Sequence, residues 1–255
     1  MLKLEKVRFL NGNQIKIIAA ISMLLDHIGV TLYPQNMLLR ILGRAAMPFF
    51  AFMIAEGCRY TKNKPLHLGL IAGFGVAFQT VYYLFCRDTY LNIFITFSLS
   101  ILVIYAMQHF KKCLFDKEKS LLLQIASGLL FVGSICFVWI FCAIGERYLY
   151  YTVDYGFWGC MLPVFASIFD FHQTPAPTLL QKTDCLPLRV CAMILGYAFF
   201  QRSSFMPQIT MYAFAFIPLL FFYNGKKGKA NMKYFFYIFY PAHLVLLQAI
   251  AMFLV

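Results

Sequence analysis

Six ionisable side chains sit inside two apolar stretches near the start of the chain: Lys16, Asp26 and His27 in residues 15–33 (IKIIAAISMLLDHIGVTLY), then Arg40, Arg44 and Glu56 in residues 38–56. A charge at mid-bilayer costs about 2.5–3.5 kcal/mol on insertion scales, so such groups usually face a protein interior and mark a functional path. Lys16 and His27 are eleven positions apart. On an α-helix that spacing brings them within about 20° of one face and about 16 Å apart along the axis. The imidazole of His27 titrates near neutrality and suits a general base; a hydrogen-bonded core histidine is the plainer alternative. For Lys16 the plainer alternative is a lysine that snorkels from a span end. Asp26 points about 100° away from His27 and is therefore expected to pair with a neighbouring helix.

The second stretch supplies that partner. Arg40 and Arg44 are four residues apart, hence on one helix face, at the depth of Asp26 and His27. Glu56 and Arg59 lie at its other end, at the depth of Lys16, with Lys62 and Lys64 just beyond. The short connection predicts antiparallel neighbours whose opposite charges meet at both levels. Either these are bridges that hold the hairpin, or they line a polar cavity. Buried bridges stabilise poorly compared with apolar packing, so this many charges favours the cavity. Residues 234–254 add Tyr237, Tyr240, Pro241 and His243. A proline there removes one backbone donor and kinks the helix, and intramembrane kinks often line cavities. His243 beside the kink is either a ligand-facing group or a packed histidine. Asp154 and Asn224 are read as loop residues.

The elements that position these groups follow from composition. The 255 residues are 62% hydrophobic, 18% aromatic and 13% charged, with a mean hydropathy of +0.72. That is a multi-pass membrane protein, and long apolar runs without alternation make it all-α, a polytopic integral membrane helix bundle. Runs of span length fall near 15–33, 38–56, 66–86, 91–109, 121–144, 156–172, 186–202, 208–223 and 234–254, which predicts about nine or ten transmembrane helices. No linker or repeat divides the sequence, so residues 1–255 read as a single domain. HQTPAPTLLQKTD (172–184) reads as an exposed cytoplasmic loop.

The net charge of +12 suggests nucleic acid at first sight. Its distribution argues otherwise: Lys3, Lys6 and Arg8, then Arg59, Lys62 and Lys64, then Lys111, Lys112, Lys117 and Lys119, then Lys226, Lys227, Lys229 and Lys233 fall in alternate loops. This is the positive-inside bias of a protein in the cytoplasmic membrane, with the N-terminus in the cytoplasm and, for nine spans, the C-terminus outside. No nucleic-acid partner is expected. The first apolar run exceeds a signal-peptide core and lacks a small-residue cleavage site, so it is expected to remain attached. The eight cysteines form no CxxC and sit mostly in apolar runs, as small hydrophobes rather than a disulfide or metal framework. No metal is expected. Walker, GxGxxG, HExxH and GxSxG motifs do not occur at a suitable place, which leaves ATP-driven transport, dinucleotide chemistry, zinc hydrolysis and serine hydrolysis unsupported.

The stretches IKIIAAISMLLDHIGVTLYP (15–34), LRILGRAAMPFFAFMIAEGCRYTKN (39–63), DYGFWG (154–159), YNGKKG (223–228) and KYFFYIFYPAHL (233–244) resemble the TraX family. That family is associated with conjugation, and one member acetylates the N-terminus of a pilin subunit. The chain also resembles, more distantly, the transmembrane acyltransferases that modify surface glycans, whose first helix carries a basic residue and a histidine with ten residues between them, a pattern that Lys16 and His27 fit. The resemblance implies acetyl transfer from cytoplasmic acetyl-CoA to an extracytoplasmic glycan or peptide acceptor. His27 would be the base, with Asp26, Arg40 and Arg44 around the reacting carbonyl. Lys16, Glu56, Arg59, Lys62, Tyr240 and His243 would hold the acyl donor. A proton-coupled transporter and a non-catalytic component of a conjugation or surface-assembly apparatus remain the alternatives, since buried charges serve those too.

Overall fold

Asn11 starts the first long helix, α1 (Gly12–Thr31), with a capping box: its backbone N–H donates to Gln14 Oε1 at 2.8 Å and its Oδ1 accepts from Gln14 N at 3.0 Å. The computed structural model describes residues 7–230 and 232–254. Lys3 and Lys6 of the basic flank, and the side chain of Lys233, lie outside the described residues. Asparagine or serine caps recur at Asn36, Asn63, Asn92 and Ser120. They open α2 (Met37–Gly43), α4 (Lys64–Cys86), α5 (Ile93–Phe115) and α6 (Leu121–Ile144). Between α2 and α3 (Ala46–Tyr60) the helix breaks for a turn at Arg44 and Ala45. One π-turn (Gly145–Leu149) extends α6. Two-residue strands β1 (Tyr90–Leu91) and β2 (Thr152–Val153) pair in parallel, ahead of α7 (Gly156–Ser167), α8 (Thr178–Thr183) and α9 (Leu186–Ser203). A short α10 (Pro207–Thr210) runs into two 3-10 segments, Met211–Ala215 and Ile217–Phe222, before α11 (Lys233–Leu254).

The all-α reading holds. Six helical stretches among the described residues are long and apolar enough to cross a membrane: α1, α2 with α3, α4, α5, α6 with its π-turn, and Tyr234–Phe253 of α11. The three other expected spans take different forms. Helix α7 has 12 residues, about 18 Å and short of a hydrocarbon core. Helix α9 is longer but carries Arg189, Gln201 and Arg202. Residues 207–222 are interrupted by Pro207 and Pro218, each lacking a backbone donor, and tighten into 3-10 turns.

The chain divides into two compact units, one formed by residues 1–53 and 201–255 and the other by 54–200. In the first, α1 packs closely on α2. Ser22 Oγ donates to Leu42 O at 2.5 Å, and Gly43 lies against the Asp26 backbone. The loop 223–230 wraps the start of α1, whose first N–H groups lack helical partners. Gly12 N donates to Lys226 O at 2.8 Å, Asn13 N to Lys227 O at 3.0 Å, and Asn13 Nδ2 to Ala230 O at 2.7 Å. Gly228, at φ 95°, fits because a Cβ there would lie 2.8 Å from Asn11 Oδ1.

In the second unit α5 is the central helix, burying Phe97, Ile101, Val103 and Ile104. Gly75 lets α4 approach it, with room for a Cβ only 3.1 Å from that of Phe94. Helix α6 instead leaves Leu121, Leu122, Leu129 and Trp139 exposed, an apolar face suited to lipid. All eight cysteines are free thiols.

The α1–α2 contact generates a stability test. A Cβ on Gly43 would lie 2.6 Å from Asp26 Oδ1 and 2.7 Å from its Cα. Gly43→Ala should therefore destabilise by about 1–3 kcal/mol despite the better helix propensity of alanine. Gly73→Ala, with nothing within 4 Å, should be neutral or slightly stabilising. Thermal unfolding of the two variants in detergent checks the contrast.

Candidate functional site

Helix α1 presents Asp26 and His27 on different faces, and each finds its partner on a different helix. Asp26, 8% exposed, accepts from Arg40 Nη1 at 3.1 Å and from Arg44 Nη2 through the same oxygen. Arg44 Nε also donates to Arg40 O at 3.2 Å, which stacks the two guanidinium groups' helix turn beneath the carboxylate. The expected pairing of Asp26 with the second stretch is thus present, and this group carries a net charge of +1 from one acid and two bases. His27 turns instead to α11. Its Nδ1 lies 2.6 Å from His243 Nε2, with the rings nearly parallel and their centroids 4.9 Å apart. His243 Nδ1 is 2.7 Å from Phe239 O, one turn back. Phe239 stacks on His243 at 5.0 Å, and Tyr240 meets it edge-on at 5.9 Å.

Nearer the start of α1, half-buried Lys16 lies over the Phe236 ring, 5.8 Å from its centroid. Lys227, on the loop that clamps Asn13, stands within electrostatic reach of Lys16. Lys226 and Lys229 on the same loop are exposed. Sequence reasoning counted these lysines only as a basic flank. The signal that would have found them is the glycine pair Gly225 and Gly228, both at positive φ, which marks a shaped loop rather than a plain tail.

Glu56, Arg59 and Lys62 belong to the second unit, and their partners correct the expectation of a meeting across the first hairpin. Glu56 Oε1 pairs with Arg189 Nη1 on α9 at 2.5 Å. Arg59 Nη1 bridges Asp170 Oδ1 at 2.7 Å and Asp184 Oδ1 at 2.5 Å. Both guanidinium groups are thus committed to carboxylates from distant parts of the chain, and Arg59 is engaged rather than held open for a phosphate. Lys62 is exposed. Lys64 donates to Gln108 Oε1 at 2.6 Å.

The stretch 172–184 is largely exposed, as expected, and is tied down at its ends. Asp184 Oδ2 accepts from Phe171 N at 3.1 Å. Lys111 Nζ donates to the carbonyls of Ser167, Ile168 and Asp170 at 3.1, 2.7 and 3.0 Å, which satisfies the end of α7 with a cation where its dipole favours one. Gln108 and Lys111, three apart and so on one face of α5, were the available sequence signal. Their partners lie 44 or more residues away, beyond the reach of spacing arguments.

These features define a multi-pass helical membrane protein with a pair of intramembrane histidines beside a neutralised acid. The chain belongs to the TraX family: the model for the TraX protein matches residues 11–251. It is similar to the probable fimbrial assembly protein FimC, serogroup H1, of Dichelobacter nodosus, at 28% identity over 94% of this chain and 96% of that one. A shorter stretch of 38 residues is 53% identical to the uncharacterised protein RP591 of Rickettsia prowazekii (strain Madrid E), covering 15% of each chain. No solved structure matches.

Arg59 distinguishes a structural tie from a ligand contact. Arg59→Met leaves Asp170 and Asp184 as buried carboxylates without their shared cation, which should cost about 3–5 kcal/mol. Adding Asp184→Asn should restore part of that loss, with a coupling of at least about 1 kcal/mol in a double-mutant cycle of thermal stability. Strict additivity would remove the tie.

Proposed function

We propose that this protein is a membrane acetyltransferase of a pilus or surface-assembly system. It would move an acetyl group from cytoplasmic acetyl-CoA to an amine or hydroxyl on the far side, on a pilin-like peptide terminus or a surface glycan. The observation that carries the reading is the division of labour on α1: Asp26 is held by Arg40 and Arg44, while the adjacent imidazole of His27 is left to another imidazole. Membership of the TraX family and the name of the fimbrial assembly relative supply the context.

In this reading His27 takes the proton from the acceptor as its nitrogen or oxygen attacks the thioester carbonyl. The carbon–sulfur bond then breaks, and the departing thiolate recovers the proton from His27, so that acetylated acceptor and free coenzyme A leave. The net positive charge of the Asp26, Arg40 and Arg44 group, within electrostatic reach of His27, suits the oxyanion that forms between these steps. Lys16 and the loop residues Lys226, Lys227 and Lys229 gather cations that match the phosphates of the donor. Tyr240 and His243 stand on α11 beside His27.

Orientation in the cytoplasmic membrane is supported by the lysine and arginine bias and by the directions of two helices. Lys16 meets Phe236, and further along both helices His27 meets His243, so α1 and α11 run the same way. Between them the chain then crosses an odd number of times. The four other long helices provide an even number, so α7, α9 and residues 207–222 together add an odd one. If all three cross, the total is nine.

His27→Ala in purified protein should abolish transfer from labelled acetyl-CoA, and undiminished transfer would remove the base. Lys16→Ala and Lys227→Ala should raise the KM for acetyl-CoA several-fold with little change in kcat. A non-catalytic assembly component, the reading favoured by the relative's name alone, predicts no thermal stabilisation by acetyl-CoA, whereas the enzyme predicts a concentration-dependent rise in Tm.

A further inference from the structure

We infer that His243 is a positioning residue that fixes His27 as the tautomer with its proton on Nδ1, leaving the Nε2 lone pair as the reactive base; this rests on the acetyltransferase reading above. The argument starts from an atom with a single option. A carbonyl oxygen only accepts hydrogen bonds, so the 2.7 Å contact of Phe239 O with His243 Nδ1 places a proton on that nitrogen. With His243 neutral, its Nε2 carries a lone pair. His27 Nδ1, 2.6 Å away, must then donate to it. One proton being used there, His27 Nε2 on the other side of the ring is unprotonated. The order Phe239 carbonyl, His243, His27 is therefore a directed chain of two hydrogen bonds that selects one tautomer at its far end.

The same chain acts during proton transfer. When His27 Nε2 takes the acceptor's proton, its Nδ1–H still points at the His243 lone pair, which stabilises the imidazolium and keeps the ring from rotating. In serine hydrolases a carboxylate fills this role, and supplying the wrong tautomer there costs about 10⁴ in rate. Here the carboxylate nearest in sequence, Asp26, is taken by Arg40 and Arg44. His243 is 4% exposed, and a second charged group at such a site would carry a desolvation cost that a neutral imidazole backed by a carbonyl avoids. In this inference His243 acts through His27, a role different from the donor-binding one that the sequence resemblance implies.

The test reads the tautomer and the rate separately. In the full-length protein in lipid nanodiscs, labelled with ¹⁵N-histidine, the five histidines are assigned by single substitutions. His27 should show a protonated Nδ1 and an unprotonated Nε2. His243→Leu removes the acceptor and should return His27 to the Nε2–H form, lowering kcat about 10²-fold with the KM for acetyl-CoA unchanged. His243→Gln, whose Oε1 can accept from His27 Nδ1, should keep the tautomer and recover most of kcat. Finding the proton on His27 Nε2 in the unsubstituted protein overturns the inference, as does equal loss of kcat in the Gln and Leu variants while the tautomer is kept in the former. Absence of acetyl transfer by the unsubstituted protein, with the Nδ1–H tautomer present, would overturn the acetyltransferase reading and leave the hydrogen-bond chain standing.

Discussion

A carboxylate cannot be left alone in hydrocarbon, and Asp26 is the carboxylate around which the first unit is arranged. Its two arginine partners come from α2 and from the turn that ends it, so satisfying it fixes both the rotation of α1 and the register of α2. The close approach needed for those bonds leaves no space for a side chain at Gly43. The helix break at Arg44 and Ala45 then lets the second guanidinium stand at the end of α2 while α3 restarts with its own buried residues, Met47 and Phe49. Once Asp26 is locked in this way, the next residue, about 100° around the helix, is aimed at a different neighbour. That is how one pair of adjacent residues separates into a charge tie and an imidazole bonded to another imidazole.

The second unit meets the same constraint with different means. Three cations at its polar end are bonded to acceptors that come from elsewhere in the unit: Arg59 to two aspartates, Arg189 to Glu56 and to Ala166 O at 3.2 Å, and Lys111 to three carbonyls. Such groups add little net stability relative to apolar packing but impose a large loss when one member is removed. Their effect here is to specify how the segment from Asp170 to Asp184 sits on α3 and α5. Chemistry requires some polar group not fully committed to structure, whereas Arg59, Arg189 and Lys111 are each engaged by acceptors of this network. The imidazole pair of the first unit fits that requirement better.

The legibility of the chain divides along sequence distance. The apolar runs located the helices, because the period and length of a span are local properties, and the Asp26 pairing was readable because α2 follows α1 after a short turn. The partners of Glu56 and Arg59 were not readable, since Arg189, Asp170 and Asp184 are separated from them by more than a hundred residues and spacing arguments weigh only neighbours. His27 and His243 were each conspicuous as intramembrane histidines, yet their mutual hydrogen bond spans 216 positions. Lys111 was read as part of a basic flank, whereas α5 continues to Phe115 and buries it. Hydropathy alone also gives α7 and residues 207–222 full span length, missing the shortening and the prolines that alter them.

The loop 223–230 connects these observations. By binding Gly12, Asn13 and Leu10 it brings the start of α11 to the start of α1, so that two helices from opposite ends of the sequence leave one point in one direction. Fourteen residues along α1 from Asn13, and ten along α11 from its start at Lys233, His27 and His243 meet. The glycines of the loop are therefore as much a part of the histidine pair as the helices that carry it: a side chain at Gly228 would press on Asn11 and Asn13, shift the common origin, and misalign His243 with His27 some fourteen residues away. The same clamp assembles Lys227 beside Lys16, which ties the cation cluster at one end of α1 to His27 at the other through a single helix.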